Sequence, residues 1–304
     1  MFEVGHIPSQ REGVFMSSSL STVAGIASSK SCRRRYGIFA VQYIKPLRGG
    51  TQPHLMRFSN GCYYVVKFQN NSQGKRVLVN ELLGARLAEW LGIPVARADI
   101  VCVDPALIEL SQECRIHLPT RVEPCTAGRC FGSRFPGDPD RVAVCDVVGD
   151  RLLRVCKNLS DFLGMLVFDV WTSNADGRQA LFFRDAGQAR CRAVMIDQGM
   201  CFGGVEWKFT DDARHHLCRC GAAYEGATRI DDFEPWLSRL ENEIDDEYLR
   251  HIAAEVPEEW YDGDTASLGR LLEQLEQRRM LVRGRLVTLA ATNPRSFPNW
   301  RQGV

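Results

Sequence analysis

Trp171-Thr172-Ser173-Asn174-Ala175-Asp176-Gly177-Arg178-Gln179 runs into an apolar stretch at 180–183, a turn at Asp185-Ala186-Gly187, a second apolar stretch at 192–196, and then Asp197-Gln198-Gly199. Two short apolar runs around turn residues read as a β-hairpin. A hairpin returns the chain to the end from which it started. Asp176, just before the first strand, and Asp197, just after the second, are therefore expected at one end of it. Each aspartate alone is most simply a loop residue capping a turn. Against that simpler reading, Asp197 leaves a strand ending in Met195-Ile196, where a carboxylate needs charge compensation. Two converging carboxylates suit phosphoryl transfer, in which one orients or deprotonates a hydroxyl and the other holds Mg²⁺ against phosphate oxygens.

Upstream, β-rich runs occupy 36–44, 55–58 and 62–68, the last reading Cys62-Tyr63-Tyr64-Val65-Val66-Lys67-Phe68. Arg48-Gly49-Gly50-Thr51-Gln52-Pro53-His54 and Ser59-Asn60-Gly61 separate them, which predicts two successive hairpins of an antiparallel sheet. Residues 77–91 switch to helical period, with Leu78, Leu82, Ala85, Leu87 and Ala88 on one broad face and Gly92-Ile93-Pro94 as a stop. Strand character returns at 96–103 and at 129–137, where the chain bends near Arg134.

Beyond that bend the pattern is mainly helical, at 161–171 behind Asn158 or Ser160 as a cap, then 233–240, 246–255, and a long amphipathic stretch at 267–288. The expected class is α+β in two lobes: an antiparallel sheet plus one helix over 36–134, and a mainly helical lobe over 135–304. Residues 1–35 lack apolar periodicity, are rich in serine and end in Arg33-Arg34-Arg35, which reads as a disordered tail. A transit peptide, or an alternative start at Met16, stays open for that segment.

Lys67 is one of six lysines and lies inside an apolar strand. Alternation places it on one face with Tyr63 and Val65, where an unpaired ammonium is strongly unfavourable. The plain alternative is an edge strand from which Lys67 snorkels to water. Glu81, in the first turns of the following helix, is a natural partner, although a glutamate there also simply favours the helix dipole. Gly49-Gly50 at a hairpin tip lets backbone N–H groups approach phosphate oxygens, but most such pairs are only turns.

The 304 residues suffice for a large core, in one domain or two lobes around a cleft. Lys+Arg total 38 and Asp+Glu 37, so charge gives no reason to expect a nucleic acid or an anionic membrane surface. No apolar run reaches the roughly 20 residues of a membrane span. The 12 cysteines, spread through apolar settings, suggest reduced thiols in a cytoplasmic protein. His215-His216-Leu217-Cys218-Arg219-Cys220, with Cys191 or Cys201, has zinc-ligand types, but its spacing favours an ordinary loop.

Taken in order, Gly49-Gly50-Thr51-Gln52-Pro53-His54, Val65-Val66-Lys67-Phe68, Asn80-Glu81-Leu82, Asn174-Ala175-Asp176-Gly177-Arg178-Gln179 and Ile196-Asp197-Gln198-Gly199 resemble the HipA-like kinases, and more distantly the phosphatidylinositol 3- and 4-kinases. The resemblance covers roughly residues 40–300 and implies a protein-kinase-like fold that uses ATP and Mg²⁺. It implies that Gly49, Gly50, Thr51 and Gln52 form the phosphate loop and that Lys67, paired with Glu81, contacts phosphate. Asp176 is implied as catalytic base and Asp197 as Mg²⁺ ligand, with the backbone around Phe131 and Ser133 meeting adenine.

The family places an Asn five residues after the catalytic Asp, where this chain has Leu181, so Gln179 is the nearest substitute as second metal ligand. The expected activity is phosphoryl transfer to a Ser/Thr hydroxyl of an unidentified protein. The alternatives are an ATP-binding pseudokinase and a lipid or small-molecule kinase. The residues ahead of the fold are expected to be too few for the small N-terminal domain of HipA toxins, so toxin behaviour is not implied.

Overall fold

The computed structural model describes residues 37–184, 187–210, 217–218 and 220–301. The chain opens with strands β1 (Ala40–Pro46), β2 (His54–Phe58) and β3 (Tyr63–Lys67), as the alternating apolar pattern requires. In β3, Tyr64 and Val66 are fully buried, with Met56 and Phe58 beside them, while Tyr63 and Val65 on the opposite face are half-buried. Lys67 follows the second set, so the alternation read from sequence holds. Each large apolar side chain fully buried in this cluster contributes about 1.5–3 kcal/mol relative to exposure.

Helix α1 (Arg76–Trp90) comes next and ends at Leu91-Gly92, with Gly92 in the left-handed region at φ 76°. Its core-facing stripe is wider than the sequence pattern indicated: Val77 through Ala85 are all buried, including Asn80 and Glu81. The reason is its position, since α1 packs on the sheet on one side and on the large lobe on the other.

Strand β4 (Ala98–Val103) follows, then α2 (Pro105–Leu110), capped by the Asp104 carboxylate on Ala106 N, and the hairpin β5 (Arg115–Leu118) with β6 (Arg121–Pro124). Strand β7 (Gly128–Arg134) completes an antiparallel sheet of order β1-β2-β3-β7-β4. An isolated bridge between Phe39 and Cys102 draws the two sheet edges together. Cys102 is disulfide-bonded, so the expectation of reduced thiols throughout fails there, while Cys62, Cys114, Cys125, Cys130 and six others carry free thiols.

The large lobe begins with β8 (Val144–Cys145), α3 (Asp150–Leu153) and α4 (Asp161–Thr172), an apolar helix buried at almost every position. The hairpin β9 (Gln179–Phe183) and β10 (Arg192–Ile196) forms as read, with Gln179 opposite Ile196. The helix expected at 233–240 starts only at α5 (Trp236–Asn242), because Pro235 has no N–H to continue the preceding turn. Helix α6 (Asp246–Ala254) matches the reading.

The long helix expected at 267–288 is two helices, α7 (Thr265–Arg278) and α8 (Val282–Thr292), joined by a 3₁₀ turn. Arg278 at the break is buried and donates to the carbonyls of Trp171 (3.0 Å) and Val170 (3.1 Å), which caps the end of α4. No helix of the described residues is long and apolar enough to cross a membrane. The lobes are tied by a short bridge in which Met195 N donates to Pro94 O at 2.7 Å and Ala96 N to Met195 O at 3.0 Å.

Candidate active site

The β3 strand delivers Lys67 beside two acids from different elements. Its Nζ lies 2.5 Å from Glu81 Oε1 on α1 and 2.9 Å from Asp197 Oδ1, just past β10. The side chains differ in exposure, 7% for Lys67, 1% for Glu81 and 36% for Asp197. Burial pushes the Lys67 ammonium towards losing its proton, but the charges of Glu81 and Asp197 outweigh it and hold the pKa above the ordinary lysine value. Burial lifts Glu81, only partly offset by Lys67, to about 7. Asp197 is also pushed up by burial, yet Lys67 prevails and keeps it below the usual carboxylate range.

Helix α1 grips the segment that carries Asp197. Glu81 Oε2 accepts from Gln198 N at 3.1 Å, so one carboxylate bonds the lysine and the acidic loop together. Asn80 donates to the carbonyls of Gly199 (2.8 Å), Cys201 (3.1 Å) and Gly204 (3.3 Å), and accepts from Trp207 Nε1 at 2.8 Å. The approach is close enough to demand glycine at 199, where a Cβ would stand 2.8 Å from Val77 Cγ1 and 3.0 Å from Glu81 Oε1. Asp197 itself sits at φ 58°, a left-handed conformation that aspartate tolerates better than most residues.

The other acid is positioned by a buried ion pair. Arg178 Nε donates to Asp169 Oδ2 of α4 at 2.9 Å, its Nη2 bonds Asp169 Oδ1, and its Nη1 reaches Ile196 O at 3.1 Å. Arg178 thus joins the loop before β9 to the residue before Asp197. Burial disfavours its charge, but Asp169 outweighs that and raises its pKa further. Asn174 donates to Asp169 Oδ1 at 3.0 Å and accepts from Asp176 N at 3.2 Å, which shapes the turn. Asp176 is left exposed at the tip, accepting from Gly177 N at 2.8 Å and Gln179 Nε2 at 3.2 Å. Gln179 therefore touches Asp176 and pairs with Ile196, the residue before Asp197.

The β1–β2 loop lies at the Lys67 end of the sheet, because His54 pairs with Val66. Within it Gly49 adopts φ 147°, Gly50 O accepts from Ser72 Oγ at 2.7 Å, and Thr51 is buried. Gln52 does not present its amide to this site. Its Nε2 donates to His117 O at 2.7 Å and its Oε1 accepts from His117 N at 2.8 Å, so the side chain fastens β5 instead.

Phe131 and Ser133 also depart from expectation. β7 is a central strand, and Phe131 pairs with both Lys67 and Ile100, Ser133 with both Val65 and Ala98. Ladder bonding engages their backbone groups, and the Phe131 side chain fills the core. The chain leaves the sheet after Arg134. There, Phe135, Pro136 and Gly137 line a cleft of about 530 Å³ with Tyr63, Ala96 and Val194. That cleft sits at the Tyr63 end of β3 and includes none of Lys67, Glu81, Asp176 or Asp197. Of the zinc-type cluster, His215, His216 and Arg219 fall outside the described residues.

Two positioning roles were not assigned from sequence, that of Asn80 on α1 and that of the Asp169–Arg178 pair, although Asn80 and Arg178 stand in the motifs quoted above. The sequence signal for the second was an acid between Phe168 and Val170, deep in the apolar run of α4.

The fold has counterparts among known proteins. The fold is similar to that of hydra Fam20, solved with sugar, at a TM-score of 0.55 and 11% identity over 90% of this chain and 92% of that one. It is also similar to a Golgi casein kinase, at 0.52 and 12% identity over 87% and 77% of the two chains. The same kinase with Mn/ADP bound matches at 0.50 and 11% identity over 87% and 76%. Among curated proteins no sequence match is found. The pattern of the HipA-like kinases matches residues 42–284, spanning both lobes and every residue of the site. The chain belongs to the HipA-like kinase family.

Proposed function

We propose that the protein transfers the γ-phosphoryl group of ATP to a Ser/Thr hydroxyl of another protein, with Mg²⁺ as the metal. The observation that carries this reading is the placement of Lys67 between Glu81 and Asp197, with Asp176 at the same hairpin end as Asp197. Lys67 gives the nucleotide's α- and β-phosphates a cation, and Glu81 holds that cation in place. Asp197, more than a third exposed, fits a metal ligand, and the carbonyl oxygen of Gln179 fits a second, since its amide nitrogen is the atom turned to Asp176. Mg²⁺ in that position neutralises charge on the phosphate oxygens. Asp176 receives the acceptor hydroxyl's proton, and Gly49 and Gly50 cover the phosphates with backbone N–H groups. The Golgi casein kinase solved with Mn/ADP has this fold and supports a nucleotide and a divalent metal in the reading.

One observation favours a second reading, an ATP-binding pseudokinase. Leu181 stands in β9 where the family has its metal-binding Asn, and Gln179 is shared with Asp176. Incubation with γ-labelled ATP separates the two. Label passed to the protein itself or to a lysate protein, and lost in Asp176→Ala, supports transfer. Tight ATP binding without any labelled product supports the second reading.

A further inference from the structure

The small lobe brings together a second group of reactive side chains, away from Lys67. His54 opens β2, Cys114 precedes β5 by one residue, and Cys125 follows β6 by one residue. They are buried, at 1%, 1% and 4% exposure, and their nitrogen and sulfur atoms all lie within 4.8 Å of one another. Cys125 N donates to Cys114 O at 3.1 Å, so the two thiols stand as a cross-strand pair at the base of the hairpin. His54 Nε2 is 3.5 Å from Cys125 Sγ. Tetrahedral zinc, with bonds of about 2.0 Å to nitrogen and about 2.3 Å to sulfur, sets N···S and S···S separations of roughly 3.5–3.8 Å.

The hydrogen bonds behind the histidine point the same way. The Tyr43 hydroxyl donates to Glu113 O at 3.2 Å, and its oxygen lies 3.2 Å from His54 Nδ1. With its proton on Glu113 O, Tyr43 accepts from Nδ1–H, which leaves Nε2 as the bare lone pair facing the thiols. A histidine present only for packing accounts for the edge-on contact with Phe68, 5.5 Å between ring centroids, but not for two cysteines gathered about its acceptor nitrogen. Charge also fits, since Zn²⁺ with two thiolates and one neutral imidazole is uncharged overall and needs no counter-ion in this apolar cluster. Beside it, a cleft of about 450 Å³ lined by His54, Glu113, Arg115 and His117 supplies room for water.

We propose that His54 Nε2, Cys114 Sγ and Cys125 Sγ bind one zinc ion, with water as fourth ligand, and so fasten the β5–β6 hairpin to β2. Binding forms two zinc–sulfur bonds and one zinc–nitrogen bond at the protein, and releases two thiol protons to the buffer. The same hairpin holds Gln52 through His117, so the metal also anchors the loop carrying Gly49 and Gly50.

The test uses the full chain, expressed with zinc and purified under reducing conditions without chelator. Elemental analysis is expected to find one zinc per chain. Replacement by Co²⁺ is expected to give thiolate-to-cobalt charge-transfer absorption and the intense d–d bands of a tetrahedral site. Cys114→Ser, Cys125→Ser and His54→Gln are each expected to lose the metal, whereas Cys145→Ser, at an exposed thiol outside the cluster, keeps it. The wild-type cobalt spectrum stands even where a buried variant fails to fold. A wild type with neither zinc nor a tetrahedral cobalt spectrum, a Cys114–Cys125 disulfide in its place, or variants that retain the metal in full would each overturn the proposal.

Discussion

Lys67 Nζ and Asp197 Oδ1 meet at 2.9 Å, joining the last residue of a small-lobe strand to the first residue beyond a large-lobe hairpin. The contact is asymmetric with the one beside it. Glu81 is sealed in at 1% exposure and bonds Lys67 and Gln198 N at once, whereas Asp197 keeps 36% of its side chain open. Under the proposed function, Asp197 is the acid able to exchange Lys67 for a metal, and Glu81 is the one that keeps the lysine in place.

Lys67→Met removes the cation from between two carboxylates. Breaking a buried pair from one side destabilises by about 3–5 kcal/mol, lessened as Glu81 takes up a proton. The urea midpoint is expected to fall, and the double variant Lys67→Met/Glu81→Gln to lose less than the sum of the single losses. Additive losses would show that the two side chains do not act as a pair.

Asp176 is exposed and, among the described residues, its side chain bonds only its near neighbours Gly177 and Gln179. Asp176→Ala is therefore expected to change stability by no more than about 0.5 kcal/mol. Phosphoryl transfer is expected to drop by about 10²–10⁴-fold, with ATP affinity retained. Equal loss of binding and transfer, measured by calorimetry alongside the labelling assay, counts against its role as base.

Asn80 supplies the donor for three carbonyls of the Asp197 segment and the acceptor for Trp207. Asn80→Ala leaves buried groups unpaired, at about 1–3 kcal/mol of stability. It should also shrink the melting shift induced by Mg-ATP, because Asp197 loses its support. An unchanged shift in a destabilised variant would confine Asn80 to a structural part.

Glu81 provides a pH test with a definite sign. Burial raises its pKa from 4.5 to about 7, so the folded protein holds this proton more tightly than the unfolded chain does. The resulting stability is complete below pH 4.5 and is lost as pH rises to about 7. Glu81→Gln removes the titration. The melting temperature of wild type relative to this variant should therefore fall across that window and level off above it, and a constant difference would contradict the assignment.

The parts of the fold that were legible were those written in local pattern. A lysine in an apolar strand, an acid in the next helix and two aspartates flanking a hairpin were enough to place Lys67, Glu81, Asp176 and Asp197. The β5–β6 hairpin left too short a trace, because β5 alternates over only four residues, Arg115 to Leu118, and β6 is exposed at three of its four. The break between α7 and α8 was equally hidden. Helical period runs through it, and what stops the first helix is Arg278 reaching carbonyls of α4, more than a hundred residues away in the chain. The tie that holds the Gln52 side chain was hidden for a similar reason, since its partner His117 lies in the hairpin that the sequence did not reveal.

The most direct measurement is the change in melting temperature on adding Mg-ATP to wild type, Lys67→Met and Asp197→Asn, each compared with its own ligand-free state. A clear rise in wild type that is largely lost in both variants is the predicted result. Equal rises in all three would contradict the claim that this lysine and this aspartate hold the nucleotide and its metal.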